Sequence, residues 1–322
     1  MNALASGHDE RFLIDDFEPA YTRTLREGLL QGKVDAARQE LANCRACPRD
    51  CGVDRLHDER GICHTGRHAY VASAFPHLGE EDCLRGWRGS GTIFFSYCNL
   101  KCVFCQNWDI SSKGAGREAT AADIADRMLQ LQDERCHNIN FVTPEHVAPQ
   151  VVEAIALAIP RGLEVPIVYN TSGYDAIASL RLMDGLIDIY MPDFKVWKPE
   201  TARRLLRATD YPAVARAALT EMHRQVGALR FGRDGLARRG VLVRHLVMPG
   251  QWAESAAIFR WLHDELSPDT YINIMGQYRP DHRVHQNERY ADIDHRSRRV
   301  ELVAAFDAAR EAGLWRIDKG PP

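Results

Sequence analysis

Short strand-like runs alternate with longer helix-like periods from about residue 90 to the end of the chain. Thr92-Ile-Phe-Phe-Ser96 is a run of β-branched and aromatic residues. Thr120 then opens a helix with a capping-box pattern, and Ile124, Met128 and Leu131 follow at helical spacing. Strands that alternate with helices of ten or more residues need crossover connections, which join parallel strands. The alternation therefore predicts an α/β fold with a parallel sheet.

About six such units follow one another. The predicted strands are 92–96, 138–143, 166–170, 186–191, 241–248 and 270–275. No Gly-x-Gly-x-x-Gly motif is present, so the pattern favours a partial (β/α)6 TIM-like barrel over a dinucleotide-binding fold. The predicted domains are residues 1–85, with a helical lead-in and a Cys-rich metal-binding segment, and residues 86–322, the barrel. In parallel barrels the chemistry lies at the carboxyl ends of the strands.

Composition excludes several classes of protein. The chain has 322 residues, 45% of them hydrophobic, with a net charge of −3, which suits a large core and argues against a nucleic-acid partner. No run reaches the roughly 18 apolar residues that a membrane helix needs. Residues 1–20 carry five acids and no secretory pattern, so we expect a cytoplasmic protein without a membrane partner.

The nine cysteines indicate metal or redox chemistry. Their number is odd, and seven lie in two short segments, which in a reducing compartment argues against disulfides. The second segment is Cys98-x3-Cys102-x2-Cys105. Three thiolates on one loop can hold three corners of a cubane iron–sulfur cluster and leave the fourth iron open. The alternative is a closed zinc site that takes Cys83 or Cys136 as its fourth ligand.

This loop resembles the signature of the radical S-adenosylmethionine (SAM) superfamily. The string from Gly89 to Asn107, with Phe104 before the last cysteine, is similar to the uncharacterised branch related to pyruvate formate-lyase activating enzyme. The resemblance runs from about residue 44 to the C-terminus. It implies a partial barrel, a [4Fe–4S] cluster on the three cysteines and SAM on the unique iron. It also implies an electron donor such as flavodoxin or ferredoxin, and a 5′-deoxyadenosyl radical that abstracts hydrogen from a substrate.

The resemblance further implies that loops after successive strands hold SAM. The activating enzymes carry Gly-Gly-Glu after the second strand, where this chain has Thr143-Pro144-Glu145. Their Asp-Thr-Asn-Gly after the third strand corresponds to 170–173 here, with Asn170 in place of the aspartate. Residues 191–195 and 244–250 resemble the segments after the fourth and fifth strands. The implied SAM-site residues are Thr143, Glu145, Asn170, Thr171, Asp193, Lys195 and Arg244.

Other interpretations of these segments stay open. They are also compatible with ordinary loops, and Arg244 with an arginine that pairs with an acid inside the barrel. Gln277 and Tyr278, after the sixth strand, are further candidates to face the substrate or adenine. The arginine-rich segment 203–239 is compatible with solvated helix faces or with a docking surface for a protein partner.

The first cysteine segment contains four thiols within twenty residues. Cys44, Cys47, Cys51 and Cys63 can close a zinc site or bind a second iron–sulfur cluster, because both accept four thiolates. For the whole chain we expect a radical SAM enzyme whose substrate is a glycyl radical enzyme. The alternatives are radical modification of a small molecule or peptide, and a non-catalytic zinc-binding interaction protein.

Overall fold

A computed structural model describes residues 9–319, so residues 1–8 and 320–322 of the two predicted domains lie outside the described residues. The described strands are β1 Ala69–His77, β2 Ser90–Phe95, β3 Arg117–Ala119, β4 Ile139–Val142, β5 Ile167–Thr171, β6 Ile189–Pro192, β7 Arg230–Phe231, β8 Ala237–Leu246, β9 Tyr271–Met275 and β10 Arg316–Ile317. The described α-helices are α1 Ala20–Arg26, α2 Leu30–Ala42, α3 Asp82–Arg85, α4 Trp108–Ser111, α5 Ala121–Asp133, α6 Ala148–Ala158, α7 Ile177–Met183, α8 Pro199–Leu206, α9 Tyr211–Val226, α10 Trp252–Trp261 and α11 Arg299–Glu311.

Nine of the strands lie side by side in one sheet, in the order β10-β9-β8-β6-β5-β4-β2-β1-β3, and β7 pairs with β8. From β2 to β10 every neighbouring pair along this path is parallel. All six predicted strands are present, and helices separate them along the chain. The predicted α/β fold, a partial TIM-like barrel, is confirmed.

Two antiparallel features were not predicted. β1 pairs antiparallel with β2, from Val71 opposite Phe95 to His77 opposite Ser90. Pro76 lies inside β1, where a proline argues against a strand, but β3 pairs only with residues 69–71, so one edge of β1 is open at Pro76. β1 also pairs antiparallel with β3 on its other edge, and the second feature is the antiparallel pair of β7 with β8. The division into two domains at residue 85 stays a prediction. β1 precedes residue 85 in the sequence but belongs to the same sheet as the barrel strands.

The helices form where the sequence caps and breaks them. Thr120 accepts from the Asp123 N–H while the Asp123 carboxylate accepts from the Thr120 N–H, which confirms the capping box at α5. α6 packs against both α5 and α2, which explains why nearly all of its residues are buried. The helical lead-in thus lies on the barrel. Among residues 9–319, we find no helix long and apolar enough to cross a bilayer.

Candidate functional site

The second cysteine segment lies in the loop between β2 and α4, at the carboxyl end of β2. Tyr97 and Lys101 have φ of 63° and 62°, so the chain turns twice within the loop. The Leu100 N–H donates to the Cys98 sulfur at 3.3 Å. The Cys105 sulfur lies 3.2 Å from the Ser111 hydroxyl, at the end of α4. The loop therefore holds its sulfurs with backbone turns and short polar contacts.

The three thiols are each half-buried and lie close enough to interact electrostatically. Burial raises the pKa of Cys98 to about 12, and Cys105 contributes to this shift. Burial also raises the pKa of Cys102 above its usual range, although the Lys195 ammonium acts in the opposite direction and lowers this pKa. Thiols that influence one another, beside a backbone N–H donor and a cation, suit the thiolate set of a [4Fe–4S] cluster.

The alternative of a closed zinc site on this loop is not supported. Cys136 packs beside Gly91, at the opposite end of β2, and Cys83 belongs to an apolar cluster with Val168 and Ile189. Within residues 9–319, no three His, Cys, Asp or Glu side chains are arranged as ligands of a single metal ion. A cubane differs in that each thiolate binds a different iron.

Asp193, just after β6, joins two cations: Lys195 from the same loop and Arg244 from the neighbouring strand β8. Its carboxylate contacts the Lys195 ammonium at 2.5 Å and the Arg244 Nε at 2.9 Å. The Arg244 Nη2 donates to the Asn170 amide oxygen at 2.6 Å. Burial alone would raise the pKa of Asp193, but Arg244 and Lys195 outweigh it and lower the pKa. The structure thus brings four of the predicted site residues into one network.

Arg244 also extends toward two glutamates that the sequence analysis missed. Glu80 and Glu81 lie between β1 and α3, and their carboxylates are 3.7 Å and 3.9 Å from the Arg244 Nη1. Burial and the neighbouring Glu81 raise the pKa of Glu80 to about 8. Burial opposes ionisation of Glu81 too, but Arg244 and hydrogen bonds lower its pKa. Arg244 is therefore paired with acids inside the barrel, as one of the two interpretations expected.

Glu145 is completely buried after β4 and has one carboxylate oxygen without a partner. The other oxygen accepts from the Ser172 hydroxyl at 2.6 Å. Thr143 adopts φ of 60°, and its N–H donates to the Asn170 carbonyl at 2.9 Å, so the turn lies against β5 without the two glycines of the family pattern. Burial raises the pKa of Glu145. A buried carboxylate oxygen without a donor suits an ammonium group.

Thr171 and Tyr278 have internal partners. The Thr171 hydroxyl donates to Asp175 at 2.6 Å, and Tyr169 donates to the same carboxyl at 3.1 Å. Burial and Glu145 raise the pKa of Asp175 to about 8. Tyr278 is buried, and its hydroxyl donates to the Ile293 carbonyl at 2.8 Å. The Tyr278 hydroxyl is thus used for packing, whereas Gln277 is exposed.

The first cysteine segment forms a second group of thiols, which we call the cysteine tetrad: Cys44, Cys47, Cys51 and Cys63. All four line one small cavity together with Arg55 and His146. The Arg55 Nη1 lies 3.6 Å from the Cys44 sulfur, and the Arg55 Nη2 is buried without a partner. A buried cation beside these thiols suits a negatively charged occupant, such as thiolates on a metal.

The cysteine tetrad adjoins the second cysteine segment, which no sequence pattern indicated. Arg49, between Cys47 and Cys51, donates to the carbonyls of Asn99 and Leu100 at 2.8 Å and 3.2 Å. Lys101 lies close enough to interact electrostatically with Cys98 and Cys63. The two thiol groups are therefore neighbours in space.

Solved structures of radical SAM proteins are distant from this chain. A methyltransferase from Kitasatospora setae, TsrM, solved with cobalamin and a [4Fe–4S] cluster, has a TM-score of 0.43 at 14% identity, covering 60% of this chain and 37% of that one. SuiB of Streptococcus suis, bound to its precursor peptide SuiA, has a TM-score of 0.44 at 10% identity, with coverages of 67% and 43%. Methylornithine synthase has a TM-score of 0.38 at 12% identity, with coverages of 92% and 79%. The chain spans less than half the length of the first two structures.

Sequence comparisons are more specific. An uncharacterized protein of Methanocaldococcus jannaschii is 29% identical over 310 residues, which covers 93% of this chain and 84% of that protein. The radical SAM superfamily matches residues 92–262, more than half of the chain, and that range contains the three-thiol loop and every predicted SAM-site residue. The chain therefore belongs to the radical SAM superfamily.

Proposed function

We propose that this chain is a hydrogen-abstracting radical SAM enzyme of the activating-enzyme type, with Cys98, Cys102 and Cys105 as cluster ligands. The observation that carries the proposal is that these three half-buried thiols, on one loop after β2, lie close enough to interact electrostatically, with Lys195 near Cys102. The family implies a [4Fe–4S] cluster and SAM. When bound, the cluster supplies one electron to the SAM sulfonium, which releases methionine and a 5′-deoxyadenosyl radical.

The remaining site residues would bind the methionine part of SAM. The unpartnered oxygen of Glu145 is suited to accept from the ammonium group. Lys195 lies between Asp193 and Cys102, and its ammonium is suited to a carboxylate. Asn170, Asp193 and Arg244 hold Lys195 in position through their shared network, and Thr143 and Thr171 shape the two turns around it.

For the cysteine tetrad we propose a metal site that holds either zinc or a second iron–sulfur cluster. Its four thiols line one small cavity beside the buried Arg55 and adjoin the three-thiol loop through Arg49. Thiolate tetrads bind either metal, so metal analysis distinguishes them.

The proposed substrate is a glycyl radical enzyme, and the proposed reductant is a flavodoxin or a ferredoxin. Support for the substrate comes from the segments after β5, β6 and β8, which resemble those of the activating enzymes. The alternative, a small molecule or peptide, would be modified without a partner enzyme. Superfamily membership argues against a non-catalytic zinc-binding protein.

The decisive experiment is anaerobic reconstitution followed by incubation with SAM and dithionite. We expect 5′-deoxyadenosine from the wild type and none from Cys102→Ala. Cys136→Ala is the matched control, because Cys136 lies at the other end of β2 and should leave the product unchanged. Equal product from wild type and Cys102→Ala would refute the assignment.

The substrate class needs a second experiment. Co-expression with a candidate glycyl radical enzyme should give the EPR doublet of a glycyl radical that depends on Cys102. Turnover of a small molecule with no such signal would favour the alternative. Iron, sulfide and zinc measured on wild type and Cys51→Ala would identify the metal of the cysteine tetrad.

A further inference from the structure

A positively charged cavity lies on the surface beside the two cysteine segments. It is open, has a volume of about 500 Å³, and is lined by Arg49, Ile62, His64, Lys101, Ser112, Arg207 and Arg283. No acidic residue is among this lining, although the chain as a whole has a net charge of −3. We call this set of residues the basic patch.

The cations of the basic patch come from separate parts of the chain. Arg49 belongs to the cysteine tetrad segment, Lys101 to the three-thiol loop, Arg207 follows α8, and Arg283 follows β9. Arg49 donates to the carbonyl of Arg207 at 2.9 Å, and the N–H of Arg283 donates to the carbonyl of Val103 at 3.0 Å. The tertiary structure thus gathers like charges that the sequence keeps apart.

Arg207 and Arg283 are exposed, and neither forms a salt bridge within the described residues. Burial lowers the pKa of the neighbouring His282, and the charges of Arg283 and Arg207 lower it further. Both guanidinium groups therefore lie near this imidazole. Most arginines of segment 203–239 differ in this respect, since Arg204, Arg224, Arg233, Arg238 and Arg239 all pair with acids. Arg207 and Arg283 lie near each other without a salt bridge in the described chain and repel one another, and a negatively charged partner would relieve this repulsion.

The position of the patch indicates what kind of partner it suits. Ile62 and His64 are the sequence neighbours of Cys63, and Lys101 lies close enough to Cys98 and Cys63 to interact electrostatically with both. Ile62 adds an exposed apolar side chain among the cations. Small, charge-steered contacts with an apolar element are typical of transient electron-transfer encounters.

We infer that the basic patch is the docking surface for an acidic one-electron carrier protein, which delivers its electron beside the two cysteine segments. The inference rests on the proposed function, because it assumes a cluster on the three thiols. The reduced carrier would lose one electron and be oxidised, and a [4Fe–4S] cluster held by Cys98, Cys102 and Cys105 would gain that electron and be reduced from the 2+ to the 1+ state.

The test uses reconstituted full-length protein and an acidic flavodoxin as the probe. The test variant is Arg207→Glu/Arg283→Glu. The matched control is Arg127→Glu/Arg260→Glu, which makes the same charge change on the exposed faces of α5 and α10. Binding is measured at low and at high salt, and cluster reduction by reduced flavodoxin is followed by EPR. Dithionite serves as a reductant that needs no docking surface.

We expect the test variant to bind flavodoxin about tenfold more weakly at low salt, with a flatter salt dependence and slower cluster reduction. The control should match the wild type, and dithionite should reduce all three proteins alike. If dithionite fails with every protein, the proposed function fails. If dithionite succeeds while test variant and wild type bind flavodoxin equally, the docking surface is refuted. Saturable binding of inorganic phosphate at the patch without flavodoxin binding would assign the cavity to a small anion and equally overturn the inference.

Discussion

At the scale of single residues, Lys195 connects the three-thiol loop with the network of Asp193 and Arg244. Its ammonium contacts Asp193 at 2.5 Å and acts electrostatically on Cys102. A resemblance to the activating enzymes was sufficient to select Lys195, Asp193 and Arg244 from the sequence. That Arg244 contacts Asp193 could not be deduced, because Asp193 and Lys195 share the loop after β6 whereas Arg244 lies in β8, about fifty residues later in the sequence.

Asp175 carries a testable pH dependence. The pKa of this buried carboxyl is about 8, above its ordinary 3.8, because of burial and the charge of Glu145. The folded state therefore holds a proton that the unfolded state releases, so this contribution to the free energy of unfolding is lost as pH rises from about 4 to 8. Compared with Asp175→Asn, the wild type should lose stability between pH 5 and 7, by at most about 1.4 kcal/mol per pH unit.

Urea denaturation of both proteins at pH 5, 6, 7 and 8 measures this difference. The asparagine variant keeps the shape of the side chain near Thr171 and Tyr169 but cannot ionise. A difference in stability that does not change with pH would contradict the raised pKa.

At the scale of elements, the close approach of two loops depends on Gly173. It follows β5 with φ of 77°, and an added Cβ would overlap the backbone oxygen of Asp193, after β6. Gly162 also has positive φ, at 94°, but an added Cβ there meets nothing within 4 Å. The two glycines therefore separate the effect of backbone conformation from that of the loop contact.

We expect Gly162→Ala to lower the free energy of unfolding by about 1 kcal/mol, the usual penalty for a side chain in this conformation. Gly173→Ala should lower it by about 3 kcal/mol, because overpacking adds to that penalty. Only Gly173→Ala should also weaken SAM binding in the reconstituted protein, since it displaces Asp193. Chemical denaturation and equilibrium dialysis measure the two effects. Equal losses from both variants would mean that the loops can move apart freely.

The order of the elements along the chain followed from hydrophobic periodicity, whereas β1 did not. Six strands and their helices are each signalled by local patterns, because buried strands and amphipathic helices repeat with different periods. β1 contains a proline and is mostly half-buried, so it has no comparable signal. Its pairing with β2 brings Glu80 and Glu81 to the barrel interior.

At the scale of the whole molecule, the segment around the cysteine tetrad should depend on its metal. Between α2 and β1 the described chain forms only one short 3-10 helix, Arg55–His57, so a metal would supply much of the local order. Its contacts with the barrel include Arg55 to the His146 carbonyl at 2.8 Å and Arg67 to Glu153 at 2.8 Å. Metal loss should therefore loosen this segment while the barrel stays folded.

Limited trypsin digestion with mass spectrometry tests this expectation. Cys51→Ser, or wild type treated with a chelator, should be cut within residues 45–67 at least about tenfold faster than untreated wild type. Far-UV circular dichroism should change little. Cys136→Ser, which alters a buried cysteine outside the tetrad, is the control. Equal resistance of Cys51→Ser and wild type would contradict a structural role of the metal.

The sequence by itself determined the α/β fold and the three-thiol loop, because periodicity and spacing are local properties of a chain, and the resemblance to the activating enzymes selected the candidate residues near the strand ends. The tertiary structure alone decided which of these side chains meet. It paired Arg244 with Asp193 and two glutamates, brought the cysteine tetrad against the three-thiol loop, and gathered Arg207 and Arg283 beside Lys101. Such contacts join residues far apart in sequence, so only the folding of the complete sheet brings them together.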